Sequence, residues 1–297
     1  MFSKLCILGV GLIGGSLARA MRRSGECEII VGSDRAEHIS RIEELHIVDT
    51  CYADPALAVV DADMIVIATP LTTMGEMMSR ISVHLKTDAI VTDVGSTKVS
   101  VMAEARARFA DRVPWFVPAH PIAGTEQAGA DASFAELFDD RRVLLTPSTE
   151  TRAEAISKVK QMWMAAGAAS VETIAIEQHD QLLAASSHLP HMLAYSLVDC
   201  LASRDGAEDI FRFAGGGFAD FTRIAASNPR MWHDIAMANR INVIDLLRAF
   251  EAEVADVRAA LEGKDSEKLL AVFERAKRSR DDFGNTWPVQ QRKTPRG

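Results

Sequence analysis

Short apolar runs alternate with stretches of helical periodicity through the first half of the chain. The run MIVIAT, residues 64–69, is apolar at nearly every position, which is typical of a strand buried on both faces of a parallel sheet. The pattern predicts strands over residues 4–9, 28–33, 63–69, 89–94, 115–120 and 142–146, and helices over residues 12–24, 36–45, 74–85 and 98–109. This alternation predicts an α/β domain with a doubly wound, mostly parallel sheet over residues 1–173.

Strand patterns stop near residue 173, and the rest of the chain carries helical patterns only. These predict helices over residues 176–202, 207–213, 231–262 and 266–282. In the third of them Ile241, Ile244, Leu247 and Val254 recur at helical spacing and form an apolar stripe, suited either to a dimer interface or to burial within the monomer. We therefore expect an all-α helical domain over residues 174–283. The polar segment 284–297 has little to bury and is predicted to be disordered.

Composition and charge narrow the class of protein. A length of 297 residues suggests two domains, and 48% hydrophobic with 25% charged residues is ordinary for a globular protein. The net charge of -8 disfavours a nucleic-acid partner, which would require a basic face. No run reaches the ~18 apolar residues of a membrane span, so no membrane partner is expected. The four cysteines are scattered, which predicts a reduced, cytoplasmic protein without a metal site.

A glycine-rich motif follows the first predicted strand and opens the first predicted helix. Its glycines allow a tight turn, and the helix N-terminus offers free N–H groups to a pyrophosphate. The motif consists of Gly9, Val10, Gly11, Leu12, Ile13 and Gly14. Asp34 ends the second predicted strand about 20 residues later, where a carboxylate can bind both ribose hydroxyls of NAD. This context predicts a Rossmann-type, NAD-binding domain; the alternatives are a turn that binds nothing and, for Asp34, a solvated helix cap.

Other residues at the same sheet edge extend the cofactor prediction. Arg35 adjoins Asp34 and leaves NADP open, since a neighbouring arginine can accommodate a 2′-phosphate. Thr69 and Pro70 end a further predicted strand, and ligands of such sheets bind beyond the carboxyl ends of the strands. We assign both to cofactor binding.

Two segments at this edge carry candidate chemistry. His120 begins the run HPIAGTE and is a candidate general base, because an imidazole titrates near neutral pH. Ser96, in the run DVGSTK, could orient that imidazole or a substrate hydroxyl. The alternative is a structural histidine at a strand end.

The helical half carries a second set of candidates. In the run SHLPH, Pro190 is predicted to kink or restart the helix, and His188 and His191 share one helical face. A metal site is disfavoured there because no carboxylate or thiol lies at ligand spacing, and two half-buried hydrogen-bonding histidines are the alternative. Three glycines, residues 215–217, predict a flexible backbone ahead of Arg223, whose planar guanidinium suits a carboxylate.

Arg223 and a nearby tryptophan each have a structural alternative. Asp220, three residues earlier, is a possible ion-pair partner of Arg223. Trp232 could line a pocket or belong to the core.

Taken in order, GVGLIGGS, HPIAGTE, SHLPH and GGGFADFTRIAASNPRMW resemble the prephenate dehydrogenase family. The resemblance runs through most of residues 1–260 and implies a Rossmann-type domain followed by a helical dimerisation domain. It also implies NAD(P)-dependent oxidative decarboxylation of prephenate to 4-hydroxyphenylpyruvate, in tyrosine biosynthesis. Some members of the family use arogenate and yield tyrosine directly. We expect the monofunctional form, assembled as a homodimer through the helical domain.

The resemblance also implies roles for individual residues. His120 would accept the proton of the substrate 4-hydroxyl as hydride leaves C4, with support from Ser96. His188 and Arg223 would hold the substrate. The residues implied to line or order the pocket are Thr125, Glu126, Asp220 and Trp232.

Two other classes of protein remain as alternatives. A β-hydroxyacid dehydrogenase also joins a Rossmann-type domain to helices, but it usually places a catalytic lysine in the helical domain. The lysines of that region here lie in polar C-terminal segments, which disfavours this class. A non-catalytic NAD-binding regulator would bind the cofactor without turnover, and it would leave HPIAGTE and DFTR without a purpose.

Overall fold

A computed structural model of the chain describes residues 2–286. The chain divides into two compact units after Arg240. The strands are β1 (Phe2–Leu8), β2 (Cys27–Ser33), β3 (Thr50–Tyr52), β4 (Met64–Ile67), β5 (Ile90–Asp93), β6 (Phe116–Val117), β7 (Ala119–Pro121), β8 (Arg142–Leu145) and β9 (Ser170–Thr173). The helices of the first unit are α1 (Leu12–Ser24), α2 (Ala36–Glu44), α3 (Pro55–Ala58), α4 (Leu71–Ile81), α5 (Val99–Phe109), α6 (Ala153–Ala165), α7 (Ile176–Leu183), α8 (Leu189–Ala202), α9 (Ala207–Arg212), α10 (Gly216–Thr222) and α11 (Pro229–Ala238).

The main sheet has six strands in the order β3-β2-β1-β4-β5-β6, and every pairing in it is parallel. Alternate residues of β1 enter opposite cores, with Leu5 and Ile7 in one and Cys6 and Leu8 in the other. A strand covered on both faces reads as a continuous apolar run, which explains the sequence pattern. The predicted doubly wound sheet is confirmed. Its strand order reverses between β1 and β4, where a ligand crevice is expected.

The predicted strand over residues 115–120 is wrong as a single element. It splits into β6, in the main sheet, and β7, which pairs antiparallel with β8 in a second, three-stranded sheet of order β7-β8-β9. Pro118 lies between the two strands and has no N–H to donate, so it interrupts the backbone ladder where the chain passes from one sheet to the other. His120 therefore belongs to β7, where it pairs with Leu144, rather than to the edge of the main sheet.

Helices alone follow β9 in the described chain, as predicted. The predicted helix over residues 176–202 is interrupted by a π-helical turn, Ala184–His188, and α8 restarts with Pro190 in its first turn. The predicted helix over residues 231–262 is divided at Asn239, where α11 ends. The predicted flexible glycine segment is also wrong in part, because Gly216 and Gly217 are the first residues of α10.

The second unit, apart from Arg240, consists of the helices α12 (Arg240–Glu262) and α13 (Ser266–Thr286). On α12, Ile241, Ile244 and Val254 of the predicted apolar stripe are exposed, and Leu247 is half-buried. Because α13 continues to Thr286, the predicted disorder of segment 284–297 is wrong at its start, and residues 287–297 lie outside the described residues. None of the described helices has the length and apolar character to cross a membrane. The predicted domain boundary at residue 173 stays a prediction.

Candidate active site

The glycine-rich turn joins β1 to α1 at the point where the sheet order reverses. Gly9 has φ +96°, and a side chain there would place a Cβ only 2.7 Å from the carbonyl oxygen of Ala68. A Cβ on Gly14 would lie 2.1 Å from the Gly9 oxygen and 2.9 Å from a methyl group of Ile7. Both positions therefore require glycine: the first for its backbone conformation, the second for close packing of helix on strand. Leu12 and Ile13, between them, pack on the core.

Gly11 has a different reason to be glycine. It is the N-cap of α1, it makes no side-chain cap, and a Cβ there would meet nothing in the described chain within 4 Å. The first N–H groups of a helix have no partner within it, and together with the helix dipole they form an anion site. The open space above Gly11 therefore fits a pyrophosphate group.

Asp34 is anchored to this turn. One carboxylate oxygen accepts from the Val10 N–H at 2.7 Å, and the other accepts from the Arg35 N–H at 2.8 Å and from His38 Nδ1 at 2.7 Å. Arg35, the N-cap of α2, is exposed and contacts His38 Nε2 at 3.0 Å through its guanidinium. A carboxylate has about four acceptor sites, so Asp34 can still accept from a ribose hydroxyl.

Thr69 and Pro70 lie between β4 and α4, and Pro70 is the N-cap of that helix. The Thr69 hydroxyl is buried and has no hydrogen-bond partner among residues 2–286. Buried hydroxyl groups usually have a hydrogen-bond partner. The unpartnered hydroxyl of Thr69 lies at the sheet edge where the cofactor is predicted to bind, and it therefore fits a bound dinucleotide. Together with the open glycine turn, it makes this edge suitable for NAD.

His120 is the first member of a chain of polar side chains. It is half-buried on β7, and its Nδ1 lies 2.9 Å from Nε2 of His179. The other nitrogen of His179, Nδ1, lies 2.8 Å from the Asp180 carboxylate. Both His179 and Asp180 are buried on α7, and neither was singled out from the sequence.

The N-terminus of α5 holds Asp180 in place. One carboxylate oxygen accepts from the Lys98 N–H at 2.7 Å and the other from the Val99 N–H at 3.0 Å. Burial raises the pKa of Asp180, but hydrogen bonds from His179 and from these two N–H groups outweigh it and lower the pKa overall. The carboxyl is therefore ionised at neutral pH.

A buried ion pair lies behind His120. The Lys98 side chain is fully buried, pairs with the equally buried Asp93, and donates to the Ala119 carbonyl oxygen at 2.7 Å. Asp93 in turn accepts from the N–H groups of Ala119 at 3.1 Å and Gly95 at 2.7 Å. The pair thus ties the end of β5 to the residue before His120. Ser96 is half-buried in the loop that the pair closes.

His188 ends the π-helical turn and is almost completely buried. The Asn239 side-chain amide donates to the Asp180 carbonyl oxygen at 2.7 Å and lies 3.1 Å from His188 Nδ1. Trp232 is buried beside it, with ring centroids 6.0 Å apart, and His191 stacks on the indole with centroids 3.4 Å apart. Trp232 thus belongs to the aromatic group around His188, and His191 is half-buried there.

A second group of predicted residues meets across the chain. Arg223 forms an ion pair with Glu126, so its observed partner is not Asp220. Thr125 accepts from the Gln127 N–H at 3.2 Å in the same loop as Glu126. Arg223, Glu126 and Asp220 are exposed, and Arg223 is available to an anionic ligand that displaces the carboxylate of Glu126.

The histidines of the site are uncharged at neutral pH. Burial, and then the neighbouring His179, Lys98 and His188, lower the pKa of His120 well below its ordinary value. Burial likewise lowers the pKa of His179, although Asp180 opposes that shift, and it lowers the pKa of His188 to about 4. An uncharged imidazole can accept a proton, so the arrangement suits general-base chemistry.

The structure joins several predicted residues through others that the sequence analysis missed. His120, His188 and Trp232 belong to one buried group only because His179, Asp180 and Asn239 connect them. The adjacent pair His179-Asp180 and the lysine ending the run DVGSTK were the available signals. Among residues 2–286, no group of three or more His, Cys, Asp or Glu side chains is placed to hold a metal ion.

Comparisons with known proteins agree on one family. The family model described as prephenate dehydrogenase, nucleotide-binding domain, matches residues 17–172. The model described as prephenate dehydrogenase, dimerization domain, matches residues 175–275. Together the two models account for most of the chain.

Individual relatives give the same result over nearly the full length. A cyclohexadienyl dehydrogenase of Zymomonas mobilis is 36% identical over 283 residues, 94% of this chain and 96% of that protein. A prephenate dehydrogenase of Bacillus subtilis is 33% identical, over 98% of this chain and 78% of that protein. The crystal structure of Aquifex aeolicus prephenate dehydrogenase in complex with hydroxyphenyl propionate and NAD+ matches with a TM-score of 0.88 and 34% identity, covering 95% of this chain and 99% of that one. The chain therefore belongs to the prephenate dehydrogenase family.

Proposed function

We propose that this protein catalyses the NAD-dependent oxidative decarboxylation of prephenate to 4-hydroxyphenylpyruvate, with His120 as the general base. The observation that carries the proposal is the uncharged, half-buried imidazole of His120, held at Nδ1 by His179 and open to a proton at its other nitrogen. Family membership supplies the reaction class, and the names of the Bacillus subtilis and Aquifex aeolicus relatives support prephenate as the substrate.

NAD is the cofactor. Gly9, Gly11 and Gly14 would hold its pyrophosphate at the N-terminus of α1, and Asp34 its ribose. Leu12, Ile13, Arg35, Thr69 and Pro70 complete the cofactor edge. Bound NAD supplies the acceptor for the hydride that leaves C4 of the substrate.

The residues of the chain act on the substrate hydroxyl and carboxylates. As C4 becomes a ketone carbon, His120 accepts the proton of the 4-hydroxyl, and Ser96 supports that contact. Arg223 binds a substrate carboxylate and His188 holds the substrate, while Thr125, Glu126, Asp220 and Trp232 line or order the pocket. Loss of the ring carboxylate as carbon dioxide leaves an aromatic phenol, which makes the reaction effectively irreversible.

Arogenate is the second candidate substrate. It differs from prephenate in carrying an amino group in place of the side-chain keto oxygen. Its case rests on the similarity to the Zymomonas mobilis cyclohexadienyl dehydrogenase and on a Synechocystis arogenate dehydrogenase structure, with 26% identity and a TM-score of 0.79 over 94% of this chain. The same base and the same cofactor would serve both substrates.

We also propose a homodimer in the cytoplasm. The match to the dimerization domain covers α12, on which Ile241, Ile244 and Val254 are exposed. Burial of these side chains against a second copy would remove apolar surface from water.

The test is the absorbance at 340 nm when purified protein is mixed with NAD and either prephenate or L-arogenate, repeated with NADP. We expect NADH to form with prephenate and the variant His120→Asn to lose about 10²–10⁴-fold in kcat, the usual contribution of a general base. His84→Asn, on an exposed turn, serves as the control and should keep full activity.

Each other outcome has a definite meaning. Strong preference for arogenate would retain the mechanism and replace the substrate. Binding of NAD without turnover of either substrate would favour the non-catalytic regulator, and a fully active His120→Asn enzyme would remove His120 as the base.

A further inference from the structure

His120, His179 and Asp180 form a hydrogen-bonded chain, and Asp180 at one end determines which atoms donate and which accept. The Asp180 carboxylate is ionised and can only accept, and it accepts from the Lys98 N–H, the Val99 N–H and His179. The hydrogen between Asp180 and His179, over a distance of 2.8 Å, therefore belongs to Nδ1 of His179.

The position of the hydrogen on His179 then determines whether His120 donates or accepts. A neutral imidazole carries one N–H, so Nε2 of His179 is bare and acts as the acceptor. The contact of 2.9 Å between this atom and Nδ1 of His120 therefore requires His120 to donate. With its hydrogen on Nδ1, a neutral His120 has a bare Nε2.

We infer that His179 and Asp180 are positioning residues that hold His120 in the tautomer with a bare Nε2, the atom that takes the substrate proton. The inference rests on the proposed role of His120 as the base. In the opposite tautomer Nε2 would carry a hydrogen, and the imidazole could not accept a proton there.

The same chain stabilises the product of proton transfer. When Nε2 takes a proton, Nδ1 keeps its hydrogen and continues to donate to His179, so no second proton has to move. The Asp180 charge, itself held by the N-terminus of α5, then lies one imidazole away from the new positive charge. This arrangement matches the orienting role of the carboxylate in a catalytic triad.

Asp180→Leu is the decisive variant, because it removes the acceptor that sets the direction of the chain. His179 is then free to carry its hydrogen on Nε2 and donate to His120, which leaves the hydrogen of His120 on its own Nε2. We expect kcat to fall about 10²-fold or more with KM changed by less than about threefold, as for a wrong-tautomer base.

Asp180→Asn is the matched variant. The Lys98 N–H and Nδ1 of His179 share one carboxylate oxygen, and the Val99 N–H uses the other. An amide oxygen in the shared position therefore keeps the direction of the chain, and we expect a smaller loss of kcat.

The tautomer can be read without turnover. Long-range ¹H–¹⁵N spectra of the full-length, histidine-labelled protein, with His120 assigned by its absence from the His120→Asn variant, distinguish a hydrogen on Nδ1 from one on Nε2. We expect Nδ1 to be protonated in the unsubstituted protein and in Asp180→Asn, and we expect this preference to be lost in Asp180→Leu.

A pair of substitutions at His179 separates the hydrogen bond from simple space filling. In His179→Gln the side-chain oxygen can accept from His120, so we expect kcat within about tenfold of the original and the same His120 tautomer. His179→Leu has no acceptor and should lose about 10²-fold. His233→Leu is the control, because it removes another histidine–aspartate contact, His233 to Asp234 at 2.9 Å, whose histidine is exposed.

Two results would overturn the inference: a hydrogen on Nε2 of His120 in the unsubstituted protein, or equal kcat values for His179→Leu and His179→Gln. Failure of the proposed function gives a different result. In that case His120→Asn would remain fully active while the spectra still showed the expected tautomers. The hydrogen-bonded chain would then exist without a role in catalysis.

Discussion

At the scale of single residues, the ion pair of Lys98 and Asp93 places two opposite charges inside the protein. Both side chains are fully buried, and burial lowers the pKa of Lys98 while Asp93 opposes that shift. Because each charge has lost its water, each depends on the other and on the backbone groups of Ala119 and Gly95. The pair therefore supports both the fold and the strand that carries His120.

Removal of the lysine leaves an uncompensated buried carboxylate. We expect Lys98→Met to lower the free energy of unfolding by about 3–5 kcal/mol. Lys86→Met removes a lysine from the partly exposed pair with Asp63 and should cost about 0–1 kcal/mol. Urea denaturation of the two variants makes the comparison, and equal losses would show that burial does not determine the strength of these pairs.

At the scale of elements, the unit formed by β1, the glycine turn and α1 separates two reasons for glycine. Gly14 is needed for the approach of α1 to β1, whereas Gly11 lies under open space at the N-terminus of α1. An added methyl group should therefore disturb packing at Gly14 and ligand binding at Gly11.

We expect Gly14→Ala to destabilise the protein by about 1–3 kcal/mol or more, because its Cβ would overlap the Gly9 oxygen. Gly11→Ala should keep the stability of the apoprotein and weaken NAD binding, since its methyl group would occupy the phosphate position. Thermal unfolding and NAD titration by calorimetry measure the two effects. A Gly11→Ala protein with unchanged NAD affinity would place the pyrophosphate elsewhere.

The π-helical turn between α7 and α8 is a second element that positions a candidate site residue. It carries His188 at its end, and Pro190 opens the next helix without a need for its missing N–H. The sequence predicted that the helix kinks or restarts at Pro190. At the end of this turn, Nδ1 of His188 lies 3.1 Å from the Asn239 side-chain amide. Turns of this kind frequently mark functional sites.

At the scale of the whole molecule, buried neutral histidines couple stability to pH. Burial lowers the pKa of His120, His179, His188 and His191 in the folded protein. The unfolded chain therefore binds protons at a higher pH than the folded one. Stability is fully present above the ordinary histidine pKa of 6.5 and is lost as the pH falls toward the folded values.

His188 alone, with a folded pKa of about 4, should cost about 2 kcal/mol of stability between pH 7 and pH 5. Urea denaturation at several pH values within this window measures the slope. His188→Asn should begin from a lower stability at pH 7 and show a shallower slope. Identical slopes in the two proteins would mean that His188 is not held neutral by the fold.

Local patterns were sufficient for the architecture and for part of the site. Continuous apolar runs predicted the parallel sheet because a strand covered on both faces has no polar positions. The glycine turn was predictable because its function depends on backbone freedom within six adjacent residues. The split at Pro118 and the division at Asn239 were not predicted, since apolar periodicity continues across both.

The sequence by itself thus determined the fold class and the family, and it identified His120, His188 and Arg223 as candidates. Only the tertiary structure decided their partners, His179 for His120, Asn239 for His188 and Glu126 for Arg223. These partners are remote in sequence, with His120 and His179 separated by 59 positions. Which of these residues donates a hydrogen bond and which accepts it depends on the side chains that packing brings within about 3 Å of one another. A local sequence pattern contains no information on such contacts.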